Sequence, residues 1–454
     1  MKKLLRCAAV LTALAAGGCG LVDSPNELMR APTTEGEYQS INQAVMQYLP
    51  AGSRLTVPQQ PAESSAVSLQ DLDRDGTPEV IAFYTSEKSD YEIGVLILTQ
   101  NQGRWEKLVS FTGVGTELDY VHVADLSGDG LPELLIGLGG GSPSNKELSV
   151  YSLSQGRIRE ILKQPYSVVA VGDLNQDGQD ELALVQHDQN ELTSKLALYG
   201  AGEKRLVKLT EQILEGEVKS YERALIGKAS PQTNGLFLEA ELGAHSASTE
   251  LLIWDNGTLR NPLTKLPPGI NPSFKPYPLY SEDINQDGLI EIGMHIQPAG
   301  TEDLPMASIP WIASYYQWDG KDSLVHVESR YRNYVYGLDF QIPKKWKDAF
   351  TLEEDDETES QIVSLYYYDE KSGKTALLLS LQGIPQQDWE LAEEALRKQQ
   401  KSYVVLKDTG EMVHVAVQPD KTPDLPPSSL EKYRSMLLSP EEILQLYRPL
   451  YSPL

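Results

Sequence analysis

The stretch DLDRDGTPEV, Asp71 to Val80, decides how the chain reads. It carries carboxylates at alternate positions, turns on a glycine and runs on into apolar residues. The first five positions would suit an EF-hand. The remainder does not, because that loop needs a bidentate Glu at its twelfth position and a helix on either side. Counting Asp71 as position one, position twelve is Ala82, inside the apolar run VIAFY. Upstream, SSAVSLQDL alternates apolar and polar residues as a half-buried strand does, with no helical period. The order is strand, acidic turn, strand. Asp71, Asp73 and Asp75 are expected to point inward from a tight loop, Gly76 to supply the sharp turn, and Glu79 to close the cage from the next strand.

The same string recurs. DLSGDGLPELLIG begins at Asp125, DLNQDGQDELALV at Asp173 and DINQDGLIEIGMH at Asp283, all fitting D-[LI]-x-x-D-G-x-x-E. Their twelfth positions, Ile136, Leu184 and Met294, again offer no carboxylate. The starts lie 54, 48 and 110 residues apart, and the last gap is two repeats long. A worn copy is therefore expected midway. SPQTNGLFLEAEL, from Ser230, fits, with Asn234-Gly235 in place of Asp-Gly; it is expected to keep the turn without the metal. A second landmark recurs in each unit: QNQGRW, LSQGRI, YGAGEKRL, WDNGTL and WDGKDSL carry the glycines that hairpin turns demand. Four strands in each unit of roughly 40–50 residues is the mark of a propeller blade.

These loops resemble FG-GAP/VCBS repeats, the modules of integrin-α-type β-propellers, over roughly residues 52–331. The resemblance implies a mainly β fold, a propeller of about five four-stranded blades, followed here by a smaller α+β domain. It also implies Ca2+ in the loop between the first two strands of a blade, held by positions one, three, five and nine and by the backbone carbonyl of position seven. Carried over, the first set is Asp71, Asp73, Asp75, Glu79 and the Thr77 carbonyl. The second is Asp125, Ser127, Asp129, Glu133 and the Leu131 carbonyl. The third is Asp173, Asn175, Asp177, Glu181 and the Gln179 carbonyl, and the last is Asp283, Asn285, Asp287, Glu291 and the Leu289 carbonyl. Two departures stand out: the family prefers Asp at position nine, where this chain has Glu, and its propellers usually have seven blades.

The N-terminus, MKKLLRCAAVLTALAAGGCG, has a basic start, a short apolar run and a small-residue cleavage region, the pattern of an export signal. AAGGC resembles a bacterial lipobox, which implies lipidation of Cys19 after removal of residues 1–18 and an outward-facing anchor in the cell membrane. Ordinary signal-peptidase cleavage is the alternative. The other cysteine, Cys7, would leave with the signal, so no disulfide is expected and bound metal is the more natural staple. Losing Lys2, Lys3 and Arg6 takes the net charge from −26 to −29, which argues against nucleic acid or an anionic membrane surface as partner. Residues 19–36 read as a flexible tether and 37–51 as a helical segment. The strand GSRLTV is expected to pair with the last blade and close the ring.

From about Tyr334 the repeat signal stops. Residues 332–454 read as an α+β domain: strands in YGLDFQIP, AFTLEED, QIVSLYYYDE, TALLLSLQGI, YVVLK and MVHVAVQ, a helix in QQDWELAEEALRKQQ, and two short helices. Those two, SSLEKYRSMLL and SPEEILQLY, are each opened by a serine suited to capping. Catalytic patterns are absent from the sequence. His122, His187, His245, His295, His326 and His414 form no metal-ligand spacing, and GLGGGSPSNK lacks the spacing of a phosphate loop. EEDDETE reads as a solvated hairpin tip, and LYYYD as a strand with one or two tyrosines in the core and the rest free to stack on sugar. The expected function is a non-catalytic surface module that binds a protein or glycan. The alternative is a carbohydrate-active enzyme, a polysaccharide lyase or hydrolase built on the propeller.

Overall fold

The computed structural model describes residues 35–450, apart from 63, 88, 141–145, 155, 215, 217, 264–271, 336, 348 and 356–360. The expected signal peptide, Cys19 and nearly all of the expected tether lie outside the described residues, as do parts of GLGGGSPSNK and EEDDETE. The fold is mainly β, and the chain forms two compact units that divide between Pro165 and Tyr166.

In the first unit, helix α1 (Glu35–Tyr48) precedes two antiparallel sheets. The first holds β1 (Ser53–Leu55), β2 (Val67–Gln70), β3 (Glu79–Ser86), β4 (Ser89–Asn101) and β5 (Arg104–Val114). The second holds β6 (Glu117–Ala124), β7 (Glu133–Gly139), β8 (Lys146–Ser154) and β9 (Arg157–Tyr166), paired in chain order. The run VIAFY explains itself here, because alternate residues of a strand face opposite ways and both faces of β3 are covered. Val80, Ala82 and Tyr84 pack under Ile41, Ala44 and Val45 of α1. Ile81 and Phe83 meet Val121, Val123, Leu134 and Ile136 of the second sheet. Each such Val, Ile, Leu or Phe side chain contributes about 1.5–3 kcal/mol over leaving it exposed.

One expectation is corrected in this unit. The strand of GSRLTV, β1, pairs with β3 of its own sheet, Ser53 opposite Ser86 and Leu55 opposite Tyr84, and not with a last blade. The physical reason is reach. Helix α1 is docked on the first sheet and ends at Tyr48, and the few residues before Ser53 span at most about 3.3–3.6 Å each.

In the second unit, a sheet of β10 (Val168–Gly172), β11 (Glu181–Asp188), β12 (Thr193–Ala201) and β13 (Leu206–Leu214) is followed by one of β14 (Ser220–Ser230), β15 (Thr233–Gly243), β16 (Ser246–Asp255) and β17 (Thr258–Arg260). Both are four-stranded antiparallel meanders of the blade type. Val185, Leu196 and Leu198 of the former pack on Leu236, Leu238 and Leu252 of the latter. The next blade has β18 (Ile292–Ile296), β19 (Ile312–Trp318) and β20 (Leu324–Asn333), its first strand reduced to a bridge between Glu282 and Glu291. Ile292 and Trp318 pack on Phe237, Leu251 and Ile253.

The worn repeat is a second correction. Asn234 and Gly235 do not form its turn: they lie within β15, opposite Lys228 and Gly227, and the turn falls at Pro231–Gln232. With no carboxylates to turn inward, the ladder simply continues to Ser230 opposite Thr233 before the chain reverses.

The C-terminal α+β region follows. β21 (Leu338–Gln341) pairs with β20, while β22 (Phe350–Asp355), β23 (Gln361–Asp369), β24 (Lys374–Pro385), β25 (Tyr403–Asp408) and β26 (Met412–Val417) form a separate sheet. It carries helices α2 (Trp389–Lys398), α3 (Pro427–Met436) and α4 (Pro440–Leu446), and β27 (Tyr447–Pro449) returns to pair with β21. Ser439 caps α4 in a reciprocal box with Glu442. Ser428 does not cap α3: the helix begins at Pro427, whose fixed φ suits the first turn, and the serine falls inside it. Of the LYYYD tyrosines, Tyr367 is buried in the core and Tyr366 and Tyr368 are half-buried, as strand alternation requires.

Candidate metal centre

Each acidic loop joins the first strand of a blade to the second, and all four repeat the same three hydrogen bonds. The position-nine glutamate accepts through Oε2 from the backbone N–H of position two: Glu79 from Leu72 at 2.9 Å, Glu133 from Leu126 at 2.9 Å, Glu181 from Leu174 at 2.8 Å and Glu291 from Ile284 at 2.9 Å. The position-one aspartate accepts through Oδ2 from the position-six glycine: Asp71 from Gly76, Asp125 from Gly130, Asp173 from Gly178 and Asp283 from Gly288. The position-five aspartate accepts from the position-seven N–H: Asp75 from Thr77, Asp129 from Leu131, Asp177 from Gln179 and Asp287 from Leu289. The last of these bonds are Asx turns, and they set the chain direction locally. Positions four and six are both left-handed, as at Arg74 with φ 55° and Gly76 with φ 88°, which explains the fixed glycine.

The second oxygens of Asp125, Asp173 and Asp283 accept as well, from the N–H groups of Gly128, Asp177 and Asp287. Asp71, Asp73 and Glu79 bring carboxylate oxygens within 4.8 Å of one another, and so do Asp283, Asp287 and Glu291. Asp71 Oδ1 is buried with no hydrogen-bond partner. Among the described residues, the second and third loops gather no such trio of carboxylates. In the third, the Asn175 amide lies between Asp177 and Glu181, donating to both at 3.1 and 2.7 Å. In the second, position three is Ser127. Asp75 stands outside its trio and is exposed.

The four glutamates are 0–1% exposed. Burial pushes the carboxyls of Glu79, Glu181 and Glu291 up to about 7, backbone N–H groups pull them partly back, and neighbouring aspartates push them up again. Burial likewise raises Glu133. Crowded buried carboxylates of this kind are poised to exchange a proton for a cation. Oxygen-only donors from Asp, Glu, Asn and backbone suit a hard cation. The clusters at Asp71 and Asp283 can therefore hold a metal ion.

The sequence reading missed the residue that faces each glutamate from the third strand. Thr99 donates to Glu79 Oε1 at 3.2 Å, and Gln317 donates to Glu291 Oε1 at 2.6 Å and to Asp287 at 2.8 Å. Ser152 stands opposite Glu133. Gly200 leaves that place empty of a side chain, and a Cβ there would lie 3.3 Å from Glu181 Oε1. Only strand register could have found them, since Thr99 follows its glutamate by 20 residues and Gln317 by 26. A second missed residue is Asn234, whose side-chain amide donates to the backbone carbonyl of Asp173, position one of the third loop.

The histidines are dispersed. His187 bonds Ser194 and the Lys219 carbonyl, His326 bonds Ser329, and buried His414 bonds Tyr447. Burial lowers His122, on β6, to about 4.

No protein-family model and no curated protein matches the chain. Among solved structures it is similar to the exotype rhamnogalacturonan lyase YesX, at 11% identity and a TM-score of 0.29, over 68% of this chain and 81% of that one. At that score the likeness bears on no activity, and the fold rests on the sheets themselves.

Proposed function

We propose that this protein is a non-catalytic lipoprotein of the bacterial cell envelope, with FG-GAP/VCBS-type blades clipped by calcium and a surface that binds a protein or glycan. The observation that carries the reading is the fourfold repetition of one loop, each closed by a buried glutamate, with carboxylate oxygens gathered at Asp71 and at Asp283. Calcium takes six to eight oxygens in flexible geometry, which favours it over magnesium at sites that mix Asp, Asn, Ser and backbone donors. Extracellular modules of this class bind with dissociation constants of about 10⁻⁴–10⁻³ M, so millimolar calcium stabilises by about 0.4–1.5 kcal/mol per site. That range suits a structural clip rather than a sensor.

Two experiments test the reading. Cys19→Ala should move the protein from the membrane fraction to the medium, and a variant that stays membrane-bound removes the anchor. The released full chain should then retain an envelope protein or a glycan in a calcium-containing binding screen without altering it. Release of cleaved or unsaturated sugar products would make it an enzyme instead.

A further inference from the structure

The segment FKPYPLY, Phe274 to Tyr280, crosses from the fourth sheet to the fifth and is held from beneath by a buried charge. Lys275 is 1% exposed, and its ammonium donates to Glu239 at 2.9 Å, Thr249 at 2.8 Å and the Gly293 carbonyl at 3.0 Å. Its backbone pairs with Ala247 of β16. Leu279 is buried as well. With Lys275 and Leu279 pinned inward, the aromatics around them turn out: Phe274 is 53% exposed, Tyr280 42%, and Tyr277 half-buried.

Tyr277 is the centre of a chain of rings. Its ring lies 5.3 Å from that of His245 at 90°, and 6.3 Å from that of His295 at 85°. His295 in turn lies 6.2 Å from Trp311 at 73°. Edge-to-face neighbours fix one another's orientation, and these four come from the β15–β16 turn, the crossing segment, β18 and the approach to β19. His295 Nδ1 is buried and has no hydrogen-bond partner.

We infer that this cluster is a platform for a neutral glycan chain, with Tyr277 and Trp311 as the stacking rings and His295 packed against both. The inference rests on the binding function proposed above and specifies its ligand and site. Aromatic rings with polar tips match a sugar, which offers an apolar C–H face and a rim of hydroxyls. The charge environment offers a polyanionic chain no excess of positive charge. Glu222 and Glu241 act on Tyr280 against the guanidinium of Arg223, Glu239 is paired with Lys275, and the molecule as a whole carries −26. His295, held neutral by burial, supplies no countercharge to a uronate.

The test is affinity electrophoresis of the full chain carrying Cys19→Ala, in calcium, through gels containing β-glucan, galactan or mannan, with polygalacturonate as the acidic arm. Retardation by at least one neutral polymer is expected. Tyr277→Ala and Trp311→Ala should each weaken it about tenfold, the upper end for one aromatic contact. Tyr277→Phe should keep most of it, and melting temperatures should confirm that all variants fold. Neutral-polymer binding that both alanine variants retain would overturn the platform while leaving a glycan-binding function standing. Binding to polygalacturonate alone would overturn the neutral-ligand assignment. If no polymer retards the wild type but an envelope protein binds it, the platform falls and the broader reading survives. If neither binds, both fall.

Discussion

Glu79, Glu133, Glu181 and Glu291 each fix the start of their loop through Oε2, and Glu79 and Glu291 also belong to the carboxylate trios. This reach gives a reason for glutamate at position nine, since the longer side chain extends back from the second strand to the position-two N–H. It also sets a pH dependence. In calcium-stripped protein, Glu79, Glu181 and Glu291 keep their protons up to about 7, whereas an unfolded chain releases them near about 4.3. Between those values the folded state binds more protons, so their contribution is fully present below about pH 4.3 and is lost as pH rises through 7. His122 and His295 slope the other way, their contribution falling as pH drops below about 6.5, but equally with and without calcium. The gain in melting temperature from calcium should therefore be larger at pH 8 than at pH 5.5. A gain independent of pH would mean the glutamates do not exchange protons for the cation. Asn234 offers a second test. Read from sequence it is the remnant of a turn with no bearing on calcium, but its amide braces Asp173, and that bond is worth about 0.5–1.5 kcal/mol. Asn234→Ala should weaken calcium at the third loop a few-fold, read by titration calorimetry, and leave the others unchanged.

At the scale of strands and sheets, packing between blades depends on places where no side chain fits. A Cβ on Gly172 would meet Ile226 Cγ2 at 2.9 Å, and one on Gly227 would meet Ile290 Cγ1 at 2.9 Å. Both glycines let the next element come close, so Gly172→Ala and Gly227→Ala should each cost about 1–3 kcal/mol through overpacking. Chemical denaturation would check this, and a loss below about 0.5 kcal/mol would show that the isoleucines move aside freely. The blades themselves were legible in the sequence, because acidic turns, hairpin glycines and period-two apolar runs such as VIAFY are local signals. Features set by distant neighbours were not. The pairing of β1 was decided by where α1 docks, the turn at Pro231–Gln232 by continued strand register, and the Lys275–Glu239 pair joins residues 36 apart. The facing positions of Thr99 and Gln317 likewise depend on the length of the connection between strands, which no motif marks.

For the whole molecule, the acidic loops are shared between the units: those at Asp71 and Asp125 belong to the first, those at Asp173 and Asp283 to the second. A calcium clip should therefore stabilise both, and unfolding need not be a single transition. The loop clusters differ, however. Trios of carboxylates form at Asp71 and Asp283, one in each unit, so Asp71→Asn should blunt the response of the first unit and Asp283→Asn that of the second. The most direct measurement is differential scanning calorimetry of the mature wild-type protein in millimolar calcium and in chelator at neutral pH. The account predicts that the transitions of both units move up by a few degrees in calcium, the size expected from about 0.4–1.5 kcal/mol per site. Identical thermograms in the two conditions would contradict it, and the four loops would then be acidic turns that hold no ion.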